Sequence, residues 1–276
     1  KFKKEYLIHY LYRENYYDKM INSFLKGQIS HNFPYNPTSD QRAALETIAD
    51  FLLSTEPDSL LLLKGYAGTG KTSLIGALVK TLNELKQKTM LLAPTGRAAK
   101  VFSNYAGQKA YTIHKRIYRQ KAFSNEPVGF LPAPNFYKDT IFIVDEASMI
   151  TNDGVDCRMI LMGDEAQLPP VMQTESPALN PDVLRGYNLD VSTVVMTQVV
   201  RQQEDSGILL NATRLREALR NNMVEIFPKL KLDGFQDFRR VSGEDLIEEI
   251  GSAYGRWGME ETMIITRSNK RAVIYN

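Results

Sequence analysis

One cysteine, Cys157, stands in 276 residues, so no internal disulfide is available, and three scattered histidines, His9, His31 and His114, offer no zinc-ligand spacing. Neither a disulfide framework nor a zinc-held module accounts for this chain. No apolar run approaches the ~18 residues that a membrane span needs, and no secretory signal is present, so a membrane partner is not expected. With so little cysteine the expected setting is reducing, hence cytoplasmic. Sequence repeats and low-complexity tracts are also missing. The chain opens at Lys1 without a methionine and stops at Asn276 inside a helix-forming segment, so it reads as a fragment.

Acidic residues are missing locally. From Arg97 to Lys121 there is no Asp or Glu, while Arg97, Lys100, Lys109, Lys115, Arg116, Arg119 and Lys121 supply seven cations. Against a chain total of +2, that leaves the remainder at about −5. Phe102, Tyr105, Tyr111, His114 and Tyr118 are interleaved with these cations. Such a composition suits a groove that follows a phosphodiester backbone and stacks bases, so single-stranded nucleic acid is the expected partner.

What the chain does have is a phosphate-binding loop in its proper context. Gly65-Tyr66-Ala67-Gly68-Thr69-Gly70-Lys71-Thr72 follows the apolar run Leu60 to Leu63 and opens a helix-forming segment. Its glycines allow main-chain amides to turn inward as an anion nest at a helix N-terminus. Lys71 brings a point charge to the outer phosphates, and the Thr72 hydroxyl suits a magnesium ion. The octet therefore predicts a nucleoside triphosphate with Mg2+, the nucleotide side spanning Gly65, Ala67, Gly68, Thr69, Gly70, Lys71 and Thr72.

Around this loop the pattern alternates. Strands are expected at Leu60 to Lys64, Thr89 to Ala93, Thr140 to Val144, Arg158 to Met162 and Val191 to Met196, with helices from Lys71 and Arg97 between them. Short apolar strands separated by helices predict an α/β fold, a doubly wound parallel sheet covered on both faces. Three parts are expected: an N-terminal helical segment (1–34), an ATPase-type domain (35–196) and part of a second domain (197–276). In the first, Leu7, Tyr10, Leu11, Tyr17, Ile21, Phe24 and Leu25 mark a helical face that packs on the next domain. A Pro-containing linker follows at Asn32 to Asn36, then a helix capped within Thr38-Ser39-Asp40-Gln41 and running to Leu53. Gln120 to Asp139, with Pro127, Gly129, Pro132 and Pro134, reads as an inserted loop or hairpin. In the third part Ser206 caps a helix with Ile208, Leu209, Ala212, Leu215 and Leu219 on one side, and Met263 to Thr266 is a further expected strand.

Acids and amides fall at strand ends, where ligands collect in such sheets. Ile141-Phe142-Ile143-Val144 runs into Asp145 and Glu146. Asp145 is placed to hold Mg2+ through its water shell opposite Thr72, and Glu146 to orient or deprotonate the water attacking the γ-phosphate. The next strand ends in Gly163-Asp164-Glu165-Ala166-Gln167-Leu168-Pro169-Pro170, and the Gln167 amide is a candidate γ-phosphate sensor. Arg201 stands where the second region begins, in reach of a transferring phosphate across a cleft; such a finger is worth ~10³ to 10⁵ in rate in other phosphoryl-transfer systems. Gln41 carries the bidentate amide that suits adenine.

The ordered set GYAGTGKT, APTGRAAK, IFIVDEAS, GDEAQLPPV and TQVVRQ resembles the superfamily 1B helicases of the RecD and Dda type, including the PIF-type enzymes, from about Asn36 to Asn276. The resemblance implies a P-loop, RecA-like motor that steps along single-stranded DNA, 5′ to 3′, and opens duplex junctions. It places Gln41 in the adenine motif, Lys71 and Thr72 in the phosphate loop, Asp145 and Glu146 in the magnesium and water motif, Gln167 at the sensor and Arg201 at the arginine finger. Pro94, Thr95, Gly96 and Arg97 fall in a segment that touches single-stranded DNA, and Thr112-Ile113-His114, with Lys115 beside it, resembles a second. Met263 to Asn276 resembles a strand and helix of the second motor domain. Further motifs would follow Asn276. Only 12 residues separate the adjacent strands between Glu146 and Cys157, so residues are expected to be missing near Ile150 to Gly154.

Two other classes compete. A GTP-directed enzyme of the phosphate-loop kind would need a guanine reader, and Asn269-Lys270-Arg271-Ala272 lacks its final acid; a small-molecule kinase has no use for the basic aromatic stripe. A non-hydrolysing nucleic-acid-binding or loading module gated by ATP, without processive unwinding, has no use for Glu146.

Overall fold

The computed structural model describes residues 2–54, 56, 58–120, 130–132, 137, 139–147, 158–170, 172–200, 206–221, 223 and 228–275; side chains of 2–16, 117–120, 130–132 and 220 are outside that description. The chain forms two compact units, Lys1–Gln202 and Gln203–Asn276. The expected boundary at 196/197 lies six residues before the one between these units, and the N-terminal helix belongs to the first.

In the first unit six strands form one parallel sheet. They are β1 (Ser59–Gly65), β2 (Lys88–Ala93), β3 (Ala110–Thr112), β6 (Thr140–Val144), β7 (Met159–Gly163) and β8 (Asp190–Met196), in the order β3-β2-β6-β7-β1-β8. Two further strands, β4 (Tyr118–Gln120) and β5 (Phe130–Pro132), pair antiparallel as a separate hairpin, so the insertion expected at Gln120 to Asp139 includes a hairpin whose first strand begins two residues earlier. The strand β3 is a departure: three residues are too few to show a period, and it exists because Leu91, Leu92 and Ala93 supply a ladder for Ala110, Tyr111 and Thr112.

Alternation along the strands divides the core in two. Leu61, Leu63, Ile141, Ile143, Ile160 and Met162 point to one face, with Leu60, Leu62, Phe142, Val144 and Leu161 on the other. Helices α2 (Ser39–Leu53), α3 (Lys71–Glu84) and α4 (Gly96–Ala106) cover the first face through Leu45, Ile48, Leu74, Leu78 and Phe102. A 3₁₀ turn at Pro177–Leu179 and the short α6 (Pro181–Arg185) cover the second with Ala178, Leu179 and Leu184. A doubly wound parallel α/β sheet is thus present, and burial on both sides explains why its strands read as continuous apolar runs.

The long helix α1 (Phe2–Asn32) packs on α2 and α3 as expected, but among the described side chains only Leu25 of the expected face is buried. Leu25 and Ile29, four residues apart, are buried, and Phe33 continues the line just past the helix end; Tyr17, Ile21 and Phe24 of the expected face are exposed. Only the last turns of the described side chains meet the α2–α3 layer, and the line that does so is set by those turns. The side chains of Leu7, Tyr10 and Leu11 lie outside the described residues.

In the second unit the helix α7 (Gly207–Arg220) starts where expected: Ser206 Oγ accepts from the Leu209 amide at 3.1 Å. Its expected apolar face is only partly its covered one, Leu209 and Leu215 being half-buried. Ile208, Ala212 and Leu219 are exposed, while Gly207 and Asn211 are buried. The segment from Lys231 to Phe235 covers that side, with the Asn211 amide bonded to the Lys231 carbonyl (2.8 Å) and accepting from the Lys231 amide (2.7 Å). A Cβ at Gly207 would come within 2.6 Å of the Phe235 ring, so glycine lets that segment approach. Helices α8 (Leu246–Trp257) and α9 (Asn269–Tyr275) follow, the second as expected. Met263 to Thr266 is not a strand, because no described segment offers it a ladder partner and a lone extended segment leaves its amides unpaired. The short helix α5 (Ile113–Ile117) completes the described helices.

Candidate nucleotide site and nucleic-acid edge

The sheet order brings the chemistry together. β7 lies between β1, which feeds the phosphate loop, and β6, which ends at Asp145; the pairs Val144↔Leu161 and Leu63↔Met162 align the three carboxyl ends. Strands ~4.8 Å apart put the loop and the acids about 10 Å from one another across β7.

Within the loop, Gly68 and Gly70 both have φ of 84°, a left-handed conformation that glycine adopts without penalty. Gly70 is the N-cap of α3, and a Cβ there would also meet Gln41 Nε2 at 2.6 Å. The loop is braced from outside through its carbonyls. Gln41 Nε2 donates to Thr69 O (3.0 Å), the Val200 amide to Gly68 O (2.9 Å), and Thr69 Oγ1 to Tyr66 O (2.9 Å). Peptide N–H and C=O groups point opposite ways, so the Gly70 amide, trans to the carbonyl that Gln41 holds, is turned away from Gln41. Lys71 Nζ donates to the carbonyls of Gly65 and Tyr66 (2.9 Å for the latter), which folds its ammonium over the loop. Burial raises the Asp145 pKa, and the Glu146 amide and then the Lys71 charge offset part of that rise.

Asp145 and Glu146 follow β6 directly. The Asp145 amide donates to Leu92 O (3.0 Å), and Asp145 Oδ1 accepts from the Glu146 amide (2.8 Å). That bond turns the chain sharply and leaves Glu146, a non-glycine residue, at φ 53°. A left-handed glutamate costs about 1 kcal/mol or more and persists where its surroundings hold it, as at functional sites. Burial raises the Glu146 pKa, and the neighbouring Asp145 charge raises it further. Among the described residues no cluster of three or more His, Cys, Asp or Glu could hold a metal. The donor set of Thr72 and Asp145 suits Mg2+, which binds through one or two protein oxygens plus phosphate and water.

Gln41 sits elsewhere than an exposed base reader would. It is buried with both ends engaged: Oε1 accepts from the Thr38 amide (3.0 Å), closing a capping box for α2, while Nε2 holds Thr69. Gln167 is exposed on the turn after β7, its amide donating to Asp164 O (3.1 Å). Sequence reasoning assigned Asp164 no role. Its carboxylate accepts from the Ala67 amide (2.8 Å) and the Ala166 amide (2.9 Å) and so ties the phosphate loop to the Gln167 turn. The only signal was an acid at a strand end, which Glu165 beside it also carries. Arg201 and the short crossover around Ile150 to Gly154 lie outside the described residues.

The same edge of the sheet continues into a basic region. Ala93 pairs with Thr112, so Pro94-Thr95-Gly96-Arg97 and Thr112-Ile113-His114-Lys115 leave adjacent strands side by side. Thr95 caps α4, its Oγ1 accepting from the Ala98 amide (3.1 Å), and Thr112 Oγ1 accepts from the Lys115 amide (3.4 Å). Thr95, Arg97, His114 and Lys115 are exposed, and Pro94 and Thr112 are half-buried. The aromatic residues divide. Phe102 is fully buried in the core and cannot stack on a base, because its position on α4 faces the sheet. Tyr105 is 57% exposed. The Tyr111 ring lies under the Arg116 guanidinium at 3.9 Å, with Lys109 at 5.4 Å, so its face is already in cation–π contact. The Tyr118 side chain is outside the described residues.

No described helix is long and apolar enough to cross a membrane. A family model described as an AAA domain matches residues 36–230. Over 183 residues the chain is 29% identical to the ATP-dependent RecD2 DNA helicase of Deinococcus radiodurans, covering 63% of this chain and 24% of that protein. It is 31% identical over 128 residues to the ATP-dependent DNA helicase dda of Enterobacteria phage T4, covering 42% and 29%. The chain thus spans less than a third of the length of either of these two curated relatives. The crystal structure of Pif1 helicase from Candida albicans is similar at a TM-score of 0.45 and 16% identity over 88% of this chain and 61% of that one. With its phosphate loop, paired acids and ordered motifs, this chain belongs to the AAA domain family, among the superfamily 1B helicases of the RecD and Dda type.

Proposed function

We propose that this protein is an ATP-dependent DNA helicase or translocase that moves 5′ to 3′ on single-stranded DNA and opens duplex junctions in a cytoplasmic setting. The observation that carries the reading is one sheet edge holding two sets of groups. Phosphate loop, sensor turn and paired acids occupy β1, β7 and β6, while the basic segments after β2 and β3 stand beside them.

ATP lies along the loop from Gly68 to Thr72, with Lys71 on the outer phosphates, while the Ala67 amide stays with Asp164 and shapes the loop from Gly65 onward. Thr72 and Asp145 would hold Mg2+, which neutralises phosphate charge when bound. Glu146 takes a proton from a water as that water's oxygen bonds to the γ-phosphorus; the bond to the β–γ bridging oxygen breaks, and ADP and phosphate leave. Gln167 reads the γ-phosphate, and Arg201 reaches it from the start of the second RecA-like part. Gln41, on the helix beside the loop, contacts adenine once nucleotide binding releases its Nε2 from the Thr69 carbonyl. Grip on the strand near Pro94, Thr95, Arg97, Thr112, His114 and Lys115 differs between nucleotide states, and that difference in binding free energy drives stepping. The functional layout is a helical segment at 1–34, an ATPase domain at 35–196 and part of a second RecA-like domain at 197–276.

The test is ATP turnover with and without single-stranded DNA, followed by unwinding of duplexes bearing a 5′ or a 3′ tail. DNA-stimulated turnover lost in Lys71→Ala, with unwinding from the 5′ tail, is expected. Turnover that survives Lys71→Ala refutes the site, and DNA binding without turnover favours an ATP-gated loading module.

A further inference from the structure

We infer that Asp164 is a positioning residue that makes the phosphate loop and the Gln167 turn move as one body, and that through this link the site binds a nucleoside triphosphate in preference to a diphosphate. The inference rests on the nucleotide-site reading above and deepens it.

Asp164 ends β7 and is 4% exposed. Burying a carboxylate is costly, and the cost is met here by main-chain amides at each oxygen. Oδ2 accepts from Ala67, 97 residues earlier and inside the phosphate loop, at 2.8 Å. Oδ1 accepts from Ala166 at 2.9 Å, and the Asp164 carbonyl accepts from the Gln167 amide at 3.1 Å. One residue therefore holds the two successive main-chain amides that lead into Gln167 and also the third residue of the phosphate loop. A second tie runs parallel: Lys64 Nζ, on the strand before the loop, pairs with Glu165 at 2.7 Å.

A carboxylate is needed for this double hold. Asparagine has the same shape but one acceptor, so it can keep only one of the two amides and turns an NH₂ toward the other. A diphosphate needs the phosphate loop alone. A triphosphate needs the loop and the sensor amide in register, because the γ-phosphate is the group that Gln167 meets. Loosening the link therefore removes selectivity for the γ-phosphate more than it removes affinity for the β-phosphate.

The experiment measures dissociation constants of the full chain for Mg-ADP and for a non-hydrolysable ATP analogue, with thermal unfolding run in parallel. Wild type, Asp164→Asn, Gln167→Ala and the double variant are compared. Asp164→Asn is expected to weaken the analogue about tenfold while ADP changes less than about threefold, within the usual range of site coupling. The double variant is expected to bind the analogue no more weakly than Gln167→Ala alone, since both act through one contact. Equal weakening of ADP and analogue, or additive losses in the double variant, overturns the inference and leaves a plain structural staple. Should Asp164→Asn not fold, amide hydrogen exchange of the wild type decides: Ala67 and Ala166 protected together by the analogue and not by ADP supports the link, and independent protection overturns it. A wild type that binds neither nucleotide sinks the motor reading itself, whereas a selective wild type with an equally selective Asp164→Asn sinks only the link.

Discussion

The Val200 amide donates to the Gly68 carbonyl at 2.9 Å, so the segment leaving β8 is bonded to the phosphate loop itself. Asp40 secures the same segment from α2, its Oδ2 accepting from the Thr197 amide (2.7 Å), the Thr197 hydroxyl (2.9 Å) and the Gln198 amide (2.9 Å). The stretch that precedes Arg201 is thereby tied to both the phosphate loop and α2.

Those bonds set a pH dependence. The amides of Gln198 and Thr197 favour the ionised form and lower the Asp40 pKa. A carboxyl depressed on folding contributes stability above its unfolded pKa of about 3.9 and loses it as pH falls through the folded value. Asp40→Asn should cost about 1 kcal/mol at pH 7, solvent screening included, with the gap between variant and wild type closing below about pH 4. Urea unfolding at several pH values checks this, and a gap independent of pH counts against it.

Glu146→Gln should lower turnover about 10²- to 10⁴-fold while leaving nucleotide affinity near that of wild type, as removal of a general base does. Burial and Asp145 raise the Glu146 pKa, and the base works ionised, so wild-type turnover should rise with pH through a value above the ordinary ~4.3 of a glutamate. A turnover profile that is already flat above pH 4.3 contradicts the assignment.

Phe102 and Tyr105 separate core from surface on one helix. Phe102→Ala should destabilise by about 3–5 kcal/mol through the cavity it leaves. Tyr105→Ala should change stability by less than about 0.5 kcal/mol and weaken single-stranded DNA by up to the ~1–3 kcal/mol of a stacked base. Thermal unfolding and fluorescence anisotropy with oligo-dT report the two; unchanged DNA affinity in Tyr105→Ala removes that side chain from the interface.

Gly70→Ala meets two penalties at once, a φ of 84° and a Cβ 2.6 Å from Gln41 Nε2. A stability loss of about 1–3 kcal/mol with at least tenfold weaker nucleotide binding is expected. Calorimetry of unfolding and of ADP binding measures both, and a neutral outcome would mean that the loop relaxes without the Gln41 brace.

Much of this site was legible from local pattern. The end of α2 at Leu53 and the strand Thr140 to Val144 were readable to the residue, and the start of α2 to within Thr38 to Gln41, since a cap signal and the apolar run Ile141 to Val144 each fall within one short window. Phe102 among cations was not, because composition does not say which side of α4 faces the sheet. The Ile208, Ala212 and Leu219 face of α7 failed for a related reason: a distant segment, Lys231 to Phe235, chose the other side.

The amino-acid sequence alone determined the phosphate loop, the alternating α/β order and the acids and amides at strand ends, because each depends on neighbours a few residues away. Only the tertiary structure decided that Asp164 holds Ala67, that Gln41 is spent on Thr69 and that Val200 meets Gly68. Those contacts join residues 28 to 132 positions apart, and the strand order β7-β1-β8 with α2 packed on it, which no local window contains, is what brings them within hydrogen-bonding distance.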